Sequence, residues 1–176
     1  ELIFSTGASS LPRNVTFYSR NDGTEPGFVS GNDMRISNEL YEAYNPRNPI
    51  DLRLQYFVLD YDGSIRYRKL QGETFQTTDL SDVFLMRTAE AWLNLAEAAA
   101  CAGDEPTARK ALNTLREKRI KREFFDESEV NGLTGENLVQ FIREERRREL
   151  CLEGHRWFDL RRYRVAEKYP QEVTVE

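Results

Sequence analysis

Two glutamates, Glu145 and Glu149, stand four residues apart in an arginine-rich segment of the chain. On a helix, residues i and i+4 lie on the same face, so both carboxylates would point the same way. Retaining glycosidases use such a close pair, with one carboxyl group as acid and the other as nucleophile. Neighbouring arginines favour the ionised form of a carboxyl group, which has no proton to donate in acid catalysis. We therefore expect structural ion pairing at these glutamates and no catalysis.

The residues around this pair predict a helix end that ion pairs and bulky apolar side chains hold in place. Gly154 is expected to break the helix, and bulky apolar side chains follow it. Arg119 lies one turn beyond the apolar Leu115 on the preceding helix, and we expect it to reach Glu145 or Glu149. The expected ion-pair and aromatic motif comprises Arg119, Glu145, Glu149, Glu153, Arg156, Trp157, Asp159 and Arg161.

Other catalytic or metal chemistry finds little support. His155 is the only histidine, and it lies among arginines, which make a poor cation site. No Ser or Cys stands in a nucleophile motif. Residues 60–63 (DYDG) resemble part of a calcium loop, but the later ligands are missing. We expect no metal ion and no cofactor, and a turn at residues 60–63.

Aromatic residues in the first part of the chain are candidates for ligand binding. A flat ring beside polar groups suits a sugar, through stacking and hydrogen bonds. The alternative is that most of these rings form small cores under long loops. The candidate ligand-binding residues are Tyr18, Arg20, Asn21 and Phe28, and the other loop aromatics are Phe17, Tyr41, Tyr44, Tyr56 and Tyr61.

Composition limits the class of protein. With 25 Lys+Arg against 30 Asp+Glu in 176 residues, the net charge of −5 argues against nucleic acid as the main partner. No apolar run is long enough to span a bilayer. The chain starts at Glu1 without a signal peptide, and we expect it to be a processed or truncated product. Cys101 and Cys151 are expected to be buried thiols.

The chain divides into two regions with different local patterns. Residues 1–80 are rich in Gly, Pro, Asn, Asp and Ser and predict loops. Within them, residues 55–60 and 64–70 predict a small β-hairpin with a type I′ turn at Asp62 and Gly63. Residues 81–176 predict helices, so the fold class is mainly α with some α+β character.

Two predicted helices, 83–102 and 107–119, form a helical hairpin. Gly103 ends the first helix, and Asp104 is the expected cap of the second. The order of large and small residues is that of a tetratricopeptide hairpin. One such hairpin cannot bury both of its faces, so either loops cover it or further repeats belong to a larger protein.

Several motifs resemble those of the SusD/RagB family of outer-membrane nutrient-binding lipoproteins. The most specific is the run from ERRREL to EGHRWFDLRR near the end of the chain. The matching segments are 1–5 (ELIFS), 51–53 (DLR), 87–90 (RTAE), 95–98 (LAEA), Asn113 with Arg116, 145–150 (ERRREL) and 153–162 (EGHRWFDLRR).

The resemblance implies a tetratricopeptide-like scaffold and a non-enzymatic protein that binds a glycan or related nutrient. It implies a surface position on the outer membrane through an N-terminal lipid that this chain lacks. It also implies transfer of the ligand to a SusC-like TonB-dependent transporter, and it favours further repeats outside this chain. The alternative is a helical-repeat adaptor that binds another protein and no glycan.

Overall fold

The computed structural model describes residues 2–6, 36–59, 63, 65–67 and 83–172. Short 3₁₀ turns lie at Leu52–Tyr56 and Arg122–Phe124. The fold is mainly α with small β elements, as predicted. The elements in chain order are β1 (Leu2–Thr6), α1 (Asn38–Glu42), β2 (Phe57–Leu59), β3 (Ile65–Tyr67), β4 (Val83–Arg87), α2 (Thr88–Ala102), α3 (Glu105–Arg116), α4 (Ser128–Asn131), α5 (Gly135–Glu149) and α6 (Arg156–Arg164).

The chain forms two compact units, residues 2–86 and residues 87–176, with Glu1 assigned to the second. The first contains β1 hydrogen-bonded to β4, and the antiparallel pair of β2 and β3. In the described part of the chain, no helix is both long and apolar enough to cross a membrane.

The predicted hairpin is present, but its register differs from the predicted one. Leu59 pairs with Ile65, so an odd number of residues separates the paired positions. A two-residue turn at positions 62 and 63 would instead place Leu59 opposite Arg66, so the type I′ prediction is wrong. Gly63 does have the predicted positive φ, of 79°. That conformation favours glycine because it has no Cβ to clash.

The helical hairpin of α2 and α3 forms as predicted at its connection. Gly103 ends α2 with φ of 90°, and its N–H donates to the carbonyl groups of Ala99 and Ala100. The Asp104 carboxylate then accepts from the Thr107 N–H at 3.2 Å and caps α3. Hydrogen bonds from the Thr107 side chain and from its backbone N–H lower the pKa of Asp104, because they favour the ionised form.

The hydrophobic core of the second unit lies between α2, α3 and α5, with one residue from α4. Its α2 and α3 positions are mostly alanine, which lets the helix backbones approach closely. Leu93 and Leu112 are fully buried, and burial of a leucine contributes about 1.5–3 kcal/mol. The other core residues are Ala89, Ala96, Ala99, Ala100, Ala108, Ala111, Leu115, Val130, Leu138, Val139, Ile142 and Leu150.

The predicted first helix is too long at its start. Residues 83–87 form strand β4, and α2 begins only at Thr88. Pairing with β1 satisfies the backbone groups of this strand and overrides the helical pattern. Met86 and Trp92, two apolar residues of the predicted helix 83–102, are exposed.

The ends of the later helices also differ from the predictions. Helix α3 ends at Arg116, so Arg119 lies in the turn that follows it. Helix α5 ends at Glu149, before the expected break at Gly154. Leu152 therefore falls outside the helix, with a positive φ of 62°, and it is partly exposed.

Candidate functional site

The four candidate ligand-binding residues, Tyr18, Arg20, Asn21 and Phe28, lie outside the described part of the chain, as do Phe17 and Tyr61. Among the described aromatics, Tyr44 is a core residue. Its ring contacts that of Phe57 edge-on, with centroids 4.9 Å apart. The alternative of a small core under loops therefore holds for Tyr44.

The DLR segment at residues 51–53 forms a buried ion pair in the first unit. Asp51 accepts from the backbone N–H and from Nε of Arg53, both at 2.9 Å. Nη2 of Arg53 donates to the other carboxylate oxygen at 2.7 Å. The guanidinium also lies over the Tyr44 ring, 5.5 Å from its centroid. These contacts fix the 3₁₀ turn next to Tyr44.

In the second unit, Glu149 holds two arginines that are distant in sequence. Its side chain is 2% exposed, and it accepts from Arg119 Nε at 2.8 Å and from Arg87 Nη1 at 3.0 Å. Arg119 thus reaches one of the two acceptors expected for it. Arg87 also donates to both carboxylate oxygens of Glu153, at 2.7 and 2.8 Å. Burial lowers the pKa of Arg87, but Glu153 and Glu149 outweigh it and leave that pKa raised.

Glu145 lies one helical turn before Glu149 and contacts different arginines. Its Oε2 atom accepts from Arg148 Nη2 at 2.7 Å, and Arg116 Nε lies 3.8 Å from the same oxygen. The Arg116 guanidinium lies over the ring of Phe141, 4.9 Å from the centroid. The two glutamates thus share a helix face but hold separate arginines.

Asp159 connects α6 to α5. Arg146 Nε donates to both oxygens of Asp159, at 2.9 and 2.8 Å. Arg146 Nη1 also donates to Asn94 on α2, at 2.9 Å, so one guanidinium joins three helices. This carboxylate belongs to the motif predicted from the sequence, although Arg146 was not among its predicted residues.

A further cluster forms around Glu97, which sequence reasoning missed as a site residue. It accepts from Arg162 Nη1 and Nη2, at 2.8 and 2.6 Å, and from Arg143 Nε at 3.2 Å. Both guanidinium groups lie against the buried ring of Tyr163, 4.2 and 4.4 Å from its centroid. The available signal was a carboxylate in the alanine-rich face of α2, next to Ala96.

Two titration shifts follow from this cluster. Burial raises the pKa of Tyr163, and the negative charges of Glu97 and Asp159 raise it further. Burial lowers the pKa of Arg162, but the hydrogen bonds and charge of Glu97 outweigh burial and leave it raised. Both shifts favour the neutral phenol and the charged guanidinium that the contacts require.

The two aromatic residues at the start of α6 are largely exposed. Trp157 is 62% exposed and Phe158 is 68% exposed, on the first turn of α6. Arg161 is exposed as well, and its neighbour Arg162 makes the contacts with Glu97 and Asp159. Arg156 is half-buried, where burial and the charge of Arg147 lower its pKa.

The sequence matches the model of a known protein family. The model of the SusD family, SusD_RagB, matches residues 16–174. The chain belongs to the SusD family.

Solved structures with the same fold include several from Bacteroides. A candidate sugar-binding protein of Bacteroides vulgatus ATCC 8482 shares 30% identity with a TM-score of 0.60, over 76% of this chain and 28% of its own. A SusD-like carbohydrate-binding protein of the same strain shares 23% identity with a TM-score of 0.65, over 91% and 34%. A SusD superfamily protein of Bacteroides fragilis shares 26% identity with a TM-score of 0.60, over 89% and 41%.

The chain thus spans less than half the length of each of these structures. No curated protein matches it. In this SusD family chain, the ERRREL and EGHRWFDLRR segments supply Glu145, Glu149, Glu153 and Asp159, and each of these carboxylates contacts an arginine. The arrangement can hold α2, α5 and α6 together.

Proposed function

We propose that the protein is a non-enzymatic glycan-binding lipoprotein on the outer-membrane surface, which passes oligosaccharide to a SusC-like TonB-dependent transporter. The family match over residues 16–174 carries this proposal. Two of the solved structures with the same fold are described as sugar- or carbohydrate-binding proteins, which supports a glycan as the ligand. The lipid anchor and the transporter belong to the proposal through the family.

The geometry of the carboxylates supports a binding role without catalysis. General acid catalysis needs a protonated group that can reach the substrate. Glu145 and Glu149 are both buried, and both contact guanidinium groups, which favour the ionised carboxylate. His155 lies near another carboxylate, with Nδ1 3.7 Å from Glu90 Oε1. A structural role explains all three residues.

Calorimetric titration of the chain with a panel of oligosaccharides tests the binding function. We expect heat of binding with at least one glycan and no release of reducing sugar from it. If no glycan gives heat, the alternative of a protein-binding adaptor is favoured. If reducing sugar is released, the protein is an enzyme and the proposal is wrong.

The proposed ligand site comprises Tyr18, Arg20, Asn21 and Phe28. Loss of an aromatic ring from a stacking platform costs about 1–3 kcal/mol by analogy with base stacking, or at least severalfold in affinity. We therefore expect Tyr18→Ala and Phe28→Ala to weaken glycan binding and leave the melting temperature nearly unchanged. Phe124→Ala is the control, because Phe124 is an exposed aromatic in another part of the chain. Equal affinity in all three variants would place the site elsewhere.

A further inference from the structure

A polar cavity of about 490 Å³ lies between α3 and α4. One wall is the face of α3 opposite its buried alanines and leucines, because positions 110, 113, 114 and 117 share one side of a helix. The other wall is the segment 127–131. The volume is within the range of roughly 300–1,000 Å³ that small-ligand pockets show.

Asn113 is the buried residue of this cavity. Its side chain is 6% exposed, and Nδ2 donates to Oδ1 of Asn131 across the cavity at 3.3 Å. Within the described part of the chain, Oδ1 of Asn113 has no hydrogen-bond partner. A buried acceptor without a donor is costly, because it has lost its hydrogen bond to water. A donor group on a bound molecule would remove that cost.

The other lining groups specify the chemistry of that molecule. Lys110 and Arg109 balance Glu117 and Glu127 in formal charge, which favours a neutral ligand. The Arg109 guanidinium is already held, since Nε and Nη2 donate to the Leu133 carbonyl at 3.0 and 2.8 Å. None of the described lining residues is aromatic, so hydrogen bonds rather than stacking would hold the ligand.

We infer that the cavity between α3 and α4 is a subsite for a neutral polyhydroxylated ligand such as one sugar unit. Because Oδ1 of Asn113 is enclosed in the free chain, the Asn113 side chain turns toward the cavity when a ligand hydroxyl donates to it. Neighbouring hydroxyls exchange hydrogen bonds with the exposed side chains of Asn131 and Glu127. Amide side chains suit vicinal hydroxyls because they offer a donor and an acceptor side by side. This subsite rests on the proposed glycan-binding function and adds a second place of contact to it.

Nuclear magnetic resonance of the ¹⁵N-labelled chain tests the subsite, with methyl α-glucopyranoside, methyl α-mannopyranoside and methyl β-galactopyranoside as probes. We expect the side-chain amide signals of Asn113 and Asn131 to shift with at least one probe. Asn131→Ala should weaken that binding about threefold or more, the loss of one hydrogen bond. Asn137→Ala is the matched control, because Asn137 is an exposed asparagine on α5 that does not line the cavity.

Glu127→Gln and Glu136→Gln form a second matched pair, since both glutamates are exposed and only Glu127 lines the cavity. Weaker binding in Glu127→Gln alone supports the subsite. If the chain gives calorimetric heat with an oligosaccharide while the signals of Asn113 and Asn131 stay in place, the subsite is overturned and the proposed function stands. If neither measurement detects any saccharide, both are overturned. Equal affinity in Asn131→Ala and Asn137→Ala also overturns the subsite.

Discussion

At the scale of single residues, buried carboxylates with more than one arginine determine what this segment can do. Glu149 contacts two arginines, and Glu97 also contacts two. Removing charges from water is costly, so such pairs add little net stability compared with apolar residues of the same size. Removing one partner is different, because it leaves the other charge buried and unpaired. These residues therefore specify which helix ends meet, more than how stable the fold is.

Replacing Glu149 by Ala tests this at a fully enclosed carboxylate. Arg87 and Arg119 both contact the Glu149 carboxylate, and the substitution removes it. The loss should lower the free energy of unfolding by about 3–5 kcal/mol. Glu144→Ala on the same helix is the control. Its side chain is 41% exposed and lies 3.7 Å from Arg147, so it should cost less than about 0.5 kcal/mol. Urea unfolding of both variants gives the comparison, and equal midpoints would contradict a structural role for Glu149.

Tyr163 makes the stability of the fold sensitive to alkaline pH. Its pKa is raised in the folded chain, so the unfolded chain releases the phenol proton first as the pH rises above about 10. The contribution of Tyr163 to the free energy of unfolding is therefore fully present below that pH and is lost above it. Tyr163→Phe removes this titration and also the 3.2 Å hydrogen bond from Arg162 Nη2. We expect the variant to be less stable by about 0.5–1.5 kcal/mol at pH 8.

Above pH 10 the difference between the original chain and Tyr163→Phe should shrink. The other tyrosines and lysines titrate in both proteins, so the difference isolates Tyr163. Chemical unfolding at pH 8, 9, 10 and 11 measures it. A difference that stays constant across this series would show that Tyr163 ionises equally easily in the folded and unfolded chains.

At the scale of elements, the sequence predicts best where local chemistry decides the structure. The Gly103 and Asp104 signals locate the α2–α3 connection because a positive φ and a capping carboxylate act within a few residues. The sequence predicts a helix where strand β4 forms. The strand is stabilised by pairing with β1, which is about 80 residues away in the chain, so the local pattern does not reveal it. The partners of Glu97 were missed for the same reason, since Arg162 lies 65 residues beyond it.

The two glycines that end helices should respond differently to alanine. Gly103 has φ of 90°, and an added Cβ would meet nothing within 4 Å, so only the backbone conformation opposes Ala. Gly103→Ala should cost about 1 kcal/mol. Gly132 has φ of −79°, and its Cβ would lie 3.5 Å from the Ser128 carbonyl, an ordinary contact. Gly132→Ala should be neutral or stabilise by up to about 1 kcal/mol. Thermal unfolding compares the two, and shifts of the same sign and size would rule out this account of the α2 end.

At the scale of the whole molecule, ion pairs bind the second unit together while part of its apolar surface stays exposed. Helices α2, α5 and α6 meet through Arg146, which contacts Asn94 and Asp159. Outside these contacts, Trp92 and Leu95 on α2 are partly exposed. The solved relatives contain more than twice the length of chain that aligns here. Such a surface is typical of regions that contact another polypeptide.

Quenching of tryptophan fluorescence measures how accessible this surface is to a small molecule in solution. The chain has two tryptophans, and Trp157 is 62% exposed against 38% for Trp92. Acrylamide should therefore quench Trp157 more than Trp92, and Trp157→Phe should lower the quenching constant more than Trp92→Phe does. The measurement is repeated from low to high protein concentration. If a second copy covered α6, quenching would fall as the concentration rises, with a larger sedimentation coefficient. Equal quenching of both variants at every concentration would show that Trp157 is covered within one chain and that the first turn of α6 is not an open surface.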